Sequence, residues 1–392
     1  RFRKMLTRTR EPTRTIISQE EMIREVLKNP NAAVRELNNR SLFEFVQYFW
    51  NTIDNCTFVP NWHIEYLCKE LEKVAKQVAL KKTKIHDLII NVPPGSSKTR
   101  VASVMFPAWC WTQWPWMKFI TASYSEKLTL ESADYCRDLV KSDAFKQIYP
   151  DIQVKEDKDT KSNFKIVQRV PGLNKKREMK EILGGGRYST SVGATVTGFH
   201  ADIIIVDDPL NPKQAASEVQ LKIANDWMEQ TLPTRKTSKE NTPTILIMQR
   251  LHMDDPTGHW LNKQKENVFN ISLPGEIRNY KEQVQPPELA KFYVDELLDT
   301  NRLSWKALKD LEADLGQYGY AGQIGQNPTP PGGGMFKVDR LIIATSMPNP
   351  VNIRKTVRAW DKAGTSGGGA YTVGVKMSQL ADGKWLIEDV KR

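Results

Sequence analysis

Short, mainly apolar runs alternate with amphipathic stretches through the middle of this chain. Five runs are strand-sized: 88–92 (LIINV), 117–122 (MKFITA), 202–206 (DIIIV), 244–248 (TILIM) and 268–273 (VFNISL). Between them, 126–142 and 215–230 carry helical patterning. Strands that are apolar along their whole length and separated by helices predict a parallel, two-sided α/β sheet. The flanks differ. The first 57 residues read as mostly helical: Ser18 and Glu21 form a capping box before EMIREVLKN, which ends at Asn29-Pro30, and SLFEFVQYFWNTI follows as a second helix. Trp62 to Lys82 is a further amphipathic helix. At the other end NPTPPGGGM (327–335) predicts a linker. After it VRAWD, AYTVGVKM and KWLIEDV predict an antiparallel meander that begins a second domain. No internal repeat is visible.

In a parallel α/β sheet, ligands sit at the carboxyl ends of strands. Val92, Val206 and Met248 all lie at such ends, and each is followed by a polar cluster. The first cluster, Pro94-Gly95-Ser96-Ser97-Lys98-Thr99, has the parts of a phosphate-binding loop. Backbone N–H groups would hold phosphates, Lys98 would reach the outer ones, and the Thr99 hydroxyl would sit on Mg²⁺. The common pattern puts glycine at the positions of Val92 and Ser97; here the only glycine is Gly95. The alternative is a polar turn with Ser96 or Ser97 capping a helix. The second cluster is Asp207-Asp208. A carboxylate at the end of a buried strand is costly unless it holds metal or is hydrogen-bonded. Asp207 would hold Mg²⁺ and Asp208 would orient or deprotonate the attacking water, the alternative being a helix cap before Pro209. The third cluster, Gln249-Arg250, would contact the γ-phosphate and report hydrolysis, or simply form an exit turn. Asp254-Asp255-Pro256, just beyond, reads as a helix start.

Further candidates lie around these. The stretch 184–202 (GGGRYSTSVGATVTGFHAD) reads as a loop facing nucleotide or DNA, or as a glycine-rich hairpin. Arg187, Arg235 and Arg250 are candidates for neutralising charge on a transferred phosphate. Trp62 and His63 would stack on an adenine ring, or pack in an aromatic core. Asp361, within VRAWDKAG, would be the first metal ligand of an RNase H-like nuclease, which uses two Mg²⁺ or Mn²⁺ ions, or a turn residue at a strand end.

Composition narrows the class. The chain has 392 residues, 40% of them apolar, enough for two domains. No run is long and apolar enough to span a membrane. It begins at Arg1 with no apolar signal region, so nothing points to secretion, and the missing Met suggests a fragment or a processed chain. Four scattered cysteines fit a reducing compartment and argue against a cysteine zinc site. The net charge of +11 suits a polyanionic partner.

These motifs, in this order, resemble the large terminase subunit of tailed double-stranded DNA bacteriophages. The carriers are TFVPNWHIEYL, INVPPGSSKT, GGGRYSTSVGATVTGFHADIIIVDDP, WMEQTLPTR, ILIMQRLHMDD, YAGQIGQNPTPPGGGMF and VRAWDKAG. The family often has P-P-x-x-[GS]-K-[ST] for its loop, which accommodates Ser97. One departure is Ala370-Tyr371, where many relatives have Asp before the aromatic residue. The resemblance implies a helical region over 1–57 and a P-loop (ASCE-type) ATPase domain over 58–326. A linker at 327–335 and the incomplete start of an RNase H-like nuclease over 336–392 would follow. It implies an ATP- and Mg²⁺-dependent motor that drives double-stranded DNA into a procapsid, with Gln249-Arg250 coupling hydrolysis to movement and Asp361 as the first nuclease ligand. The implied partners are DNA, the portal protein, the small terminase subunit and further copies in a ring, in the bacterial host cytoplasm. A nucleic-acid helicase with the same core, or a non-catalytic DNA-binding assembly protein, are the alternatives.

Overall fold

The computed structural model describes residues 28–160, 162–172, 179–263, 267–329, 341–362 and 372–391. The Ser18–Glu21 capping box, most of the 327–335 stretch and Ala370-Tyr371 lie outside the described residues. The chain forms two compact units, Arg1–Pro331 and Gly332–Arg392.

In the first unit, α1 (Pro30–Arg40) and α2 (Leu42–Ile53) are joined at Ser41, whose hydroxyl accepts from the Glu44 N–H and caps α2. α3 (Trp62–Ala79) is capped by Asn61 and leads to β1 (Asp87–Asn91). The helix after the loop opens with a wide π-turn over Arg100–Met105, in which the Phe106 N–H reaches the Val101 carbonyl five residues back, and continues as α4 (Phe106–Gln113). Pro107 supplies a physical reason for the irregular start. It has no N–H, and its ring would crowd the carbonyl four residues earlier. There follow β2 (Lys118–Ser123), α5 (Glu126–Lys141), α6 (Asp143–Ile148), β3 (Ile152–Asp159), β4 (Asn163–Pro171), β5 (Met179–Ser191) and β6 (Ile203–Asp207). Then come α7 (Glu218–Asp226), β7 (Thr244–Met248), α8 (Pro256–Asn262), β8 (Val268–Ser272) and α9 (Trp305–Gln323).

The eight strands form one sheet in the order β3-β4-β5-β2-β6-β7-β1-β8. From β5 to β8 all neighbours are parallel. β7 therefore lies between the loop strand β1 and the acid strand β6. Both faces are covered, which is why these strands are apolar throughout. Leu88, Ile90, Phe119, Ile203 and Ile245 join a core with α2, α3 and α4 on one side. Ile89, Ile120, Ile204 and Leu246 join Trp227 and Trp260 on the other.

The five apolar runs are strands within a residue or so of the expected bounds. The sheet differs in being mixed: β3 and β4 add an antiparallel edge. The stretch 184–202 also departs from the expected loop. Its first half is the inner part of β5, paired in parallel with β2 from Lys118 to Ser123. The glycines do allow a close backbone approach, but to this chain's own backbone. A Cβ on Gly185 would stand 1.8 Å from the Met117 carbonyl oxygen, and one on Gly184 2.4 Å from that of Pro115.

The second unit is a three-stranded antiparallel sheet of β9 (Ile353–Asp361), β10 (Val373–Leu380) and β11 (Trp385–Lys391), with β10 central. Among the described residues no helix is long and apolar enough to cross a membrane.

Gly185→Ala should destabilise the first unit by at least about 2 kcal/mol in a denaturant titration, because neither facing carbonyl can retreat without parting β2 from β5. An unchanged midpoint would show that the two strands are not in this close register.

Candidate active site

Three strand ends and one helix start converge here. β1 delivers the loop, β6 delivers Asp207 and Asp208, and β7 delivers Gln249. The loop turns through two left-handed residues, Gly95 (φ +75°) and Ser97 (φ +63°). Alternation of backbone hand is how short loops make anion-holding concavities. Gly95 adopts this conformation freely; for Ser97 it costs on the order of 1 kcal/mol. The loop is braced against that strain. The Ser96 hydroxyl donates to the Pro93 carbonyl at 2.7 Å. The Val101 N–H donates to the Ser97 carbonyl at 3.0 Å. His63, fully buried beneath the loop, places Nε2 3.2 Å from the Ser96 carbonyl. Burial lowers the His63 pKa to about 4, so the ring is neutral near pH 7 and Nε2 carries the proton that Ser96 accepts.

The Lys98 ammonium is buried. It donates to Gln249 Oε1 at 2.7 Å and stands 3.8 Å from Asp208 Oδ2. Thr99 and Ser103, one turn apart, both reach Asp207: Thr99 Oγ1 to Oδ1 at 3.2 Å, Ser103 Oγ to Oδ2 at 2.6 Å. Asp208 has a left-handed backbone (φ +45°). It is held from both sides: its N–H donates to Ile247, and its carbonyl accepts from the Tyr124 N–H and the Ser123 hydroxyl. Burial pushes the pKa of both acids up, with Lys98 opposing in each case; Asp208, further raised by the charge of Asp207, reaches about 6. Asp208 Oδ1 is buried without a hydrogen-bond partner. A cavity of about 280 Å³ opens beside the acids, lined among others by Thr99, Ser103, Asp207, Asp208, Ser132 and Tyr135.

This arrangement fits a divalent cation held partly by phosphate. Two adjacent carboxylates, one buried and one half-buried, repel; the half-buried Asp208 has an unsatisfied oxygen, and a threonine hydroxyl stands beside them. Among the described residues no group of three or more His, Cys, Asp or Glu could hold a metal alone. Mg²⁺ commonly takes one or two carboxylates plus substrate oxygens and water.

Other expected residues fall differently. Arg187 is fully buried, and its donors are engaged. Nε points at Thr121 Oγ1 (2.9 Å) and Ser189 Oγ (3.1 Å), Nη2 at Ser132 Oγ (2.7 Å), and Nη1 at the Ser103 carbonyl. It braces the site from behind instead of facing a phosphate. Arg235 donates to the Val196 carbonyl, and its own carbonyl bonds Ala201 just ahead of β6, at the opposite end of the sheet from the acids. Arg250 is clamped by both oxygens of the buried Asp255 at 3.0 Å, and Asp255 caps α8 by accepting from Gly258, the helix start expected there. Trp62 has Phe292 and Tyr293 at ring distances of 5.5 Å, so it packs with aromatic side chains of its own chain. Asp361 lies in the other unit, exposed at the end of β9 and registered opposite Val373. Ser103 was not anticipated. Its signal was a hydroxyl one turn beyond Thr99.

The sheet order, the loop and the acids define an α/β P-loop ATPase fold. No family model matches the chain, and comparison with curated proteins finds no match. Among solved structures it is similar to the large terminase of bacteriophage HK97, at 12% identity and a TM-score of 0.46 over 89% of this chain and 67% of that one. It is also similar to the large terminase ATPase domain of Thermus phage P74-26, at 10% identity and 0.40 over 64% of this chain and 93% of that one. A third is the large terminase of a thermophilic bacteriophage in complex with ADP, at 14% identity and 0.38 over 81% of this chain. The chain spans 66% of that last protein.

Asp208→Asn should stabilise the metal-free, nucleotide-free protein. The folded pKa of about 6 lies above the unfolded value of 3.8, so ionisation costs stability as pH rises through that window. The variant should melt higher at pH 7.5, by on the order of 1–3 kcal/mol, with the gap closing towards pH 4. A variant no more stable than the parent at pH 7.5 would contradict the geometry.

Proposed function

We propose that this chain is the ATP-hydrolysing subunit of a viral DNA-packaging motor. The observation that carries the ATPase part is the convergence of Lys98, Thr99, Asp207, Asp208 and Gln249 at neighbouring strand ends. The ordered run of terminase-like motifs and the net charge of +11 support the packaging part.

The Pro94–Thr99 loop holds the triphosphate, and Lys98 exchanges its bond to Gln249 for the outer phosphates. Thr99 and Asp207 are the residues that would hold Mg²⁺, which would supply positive charge against the phosphates. Asp208, oriented by Ser123 and Tyr124, positions the attacking water and accepts its proton. Gln249, freed of Lys98, is placed to sense the γ-phosphate. The adjoining Arg250 N–H donates to Gln326 Oε1 at 3.1 Å, which ties this turn to the segment just after α9. In the second unit, β9 with Asp361 would begin a metal-dependent nuclease that cuts concatemeric DNA. Portal, small subunit and neighbouring copies in a ring would be the other partners, in the host cytoplasm and at the procapsid.

DNA-stimulated ATP turnover tests this reading. Lys98→Ala should lower it by about 10²–10³-fold or more while leaving the circular dichroism spectrum unchanged. Turnover equal to the parent's would refute the site. Turnover accompanied by strand separation would point to a helicase instead.

A further inference from the structure

We infer that Ser103 is a positioning residue for the metal-holding carboxylate, a second hydroxyl clamp that fixes which oxygen of Asp207 faces the cation. The inference rests on the proposed ATPase reading and adds a residue to it.

A carboxylate has two oxygens and rotates about one bond. Here each is taken by a different hydroxyl from the same helix. Ser103 donates to Oδ2 at the shorter distance, 2.6 Å, from a position only 1% exposed. That leaves Oδ1, on the Thr99 side, for the cation. Thr99 can keep this bond while its oxygen lone pair turns to a metal. Ser103 lies further along the helix and serves Asp207 alone.

The helix is built to hold Ser103 in place. In a regular helix its carbonyl would accept from the N–H four residues on, but that residue is Pro107 and has none. The Arg187 guanidinium supplies the missing donor. Arg187 is in turn fixed by Thr121 and Ser189 on adjacent strands and by Ser132 on α5. The glycines in the middle of β5 let that strand approach the segment leading into β2 closely enough to deliver it. Proline, arginine and serine thus form one brace running from the sheet to Asp207. Residues that orient a metal ligand typically contribute about 10–100-fold to metal affinity or activity.

The test is binding of a fluorescent, non-hydrolysable ATP analogue to the full chain, with EDTA and with Mg²⁺. In the parent protein Mg²⁺ should tighten binding. In Ser103→Ala the affinity in EDTA should be unchanged, because Lys98 and the loop are untouched, while about tenfold of the Mg²⁺-dependent gain is lost. Ser103→Thr, which keeps the hydroxyl, should recover the gain. An undiminished gain in Ser103→Ala overturns the inference. So does an equal loss with and without Mg²⁺, which would mean the serine only supports the fold. No binding by the parent protein in either condition would bring down the ATPase reading and the inference with it.

Discussion

The energetic centre of this protein is a pair of adjacent carboxylates, Asp207 buried and Asp208 half-buried. Ionised groups taken out of water cost several kcal/mol each unless they are compensated, and Asp207 and Asp208 also repel one another. The surroundings answer for Asp207 with two hydroxyls and for Asp208 with the nearby Lys98 ammonium, yet both acids keep raised pKa values and one oxygen stays unpartnered. The left-handed backbone at Asp208 is a second cost at the same place. A fold that carries such strain at a strand end is arranged for something that relieves it, and the proposed cation and phosphate would do so.

The rest of the first unit can be understood as the means of holding that pair. The apolar strands β1, β6 and β7 are rigid because both faces are covered, so their ends are placed accurately. Behind them, the close approach of β5 to β2 brings Arg187 against the wide turn that Pro107 imposes. Below the loop, a neutral His63 ties down the Ser96 carbonyl from α3. Each brace is buried and hydrogen-bonded to a neighbouring element. The Lys98–Gln249 bond is the contact that the proposed phosphate would replace.

Much of this was legible in the chain itself. LIINV, DIIIV and TILIM are continuous apolar runs ending in polar clusters, a pattern that gives both the parallel sheet and the convergence of its ends. β3 escaped notice because IQVKEDKD is polar and lies at the sheet edge. β5 escaped because a triple glycine imitates a loop when the strand it approaches is unknown. For Arg187 and Arg250, chain position shows only that an arginine lies near a site; packing shows which of its donors are already engaged. Trp62 was ambiguous in the same way, since Phe292 and Tyr293 approach it from a distant part of the chain. Ser97 seemed a poor substitute for glycine, and the structure shows it adopting the left-handed conformation a glycine would take.

The most direct test of the central claim is a structure of the chain with Mg²⁺ and a non-hydrolysable ATP analogue. The account predicts that Lys98 Nζ leaves Gln249 Oε1, now 2.7 Å away, for the phosphate oxygens, with the cation between Thr99, Asp207 and the nucleotide. A nucleotide bound away from residues 94–99, with the Lys98–Gln249 bond intact, would contradict it.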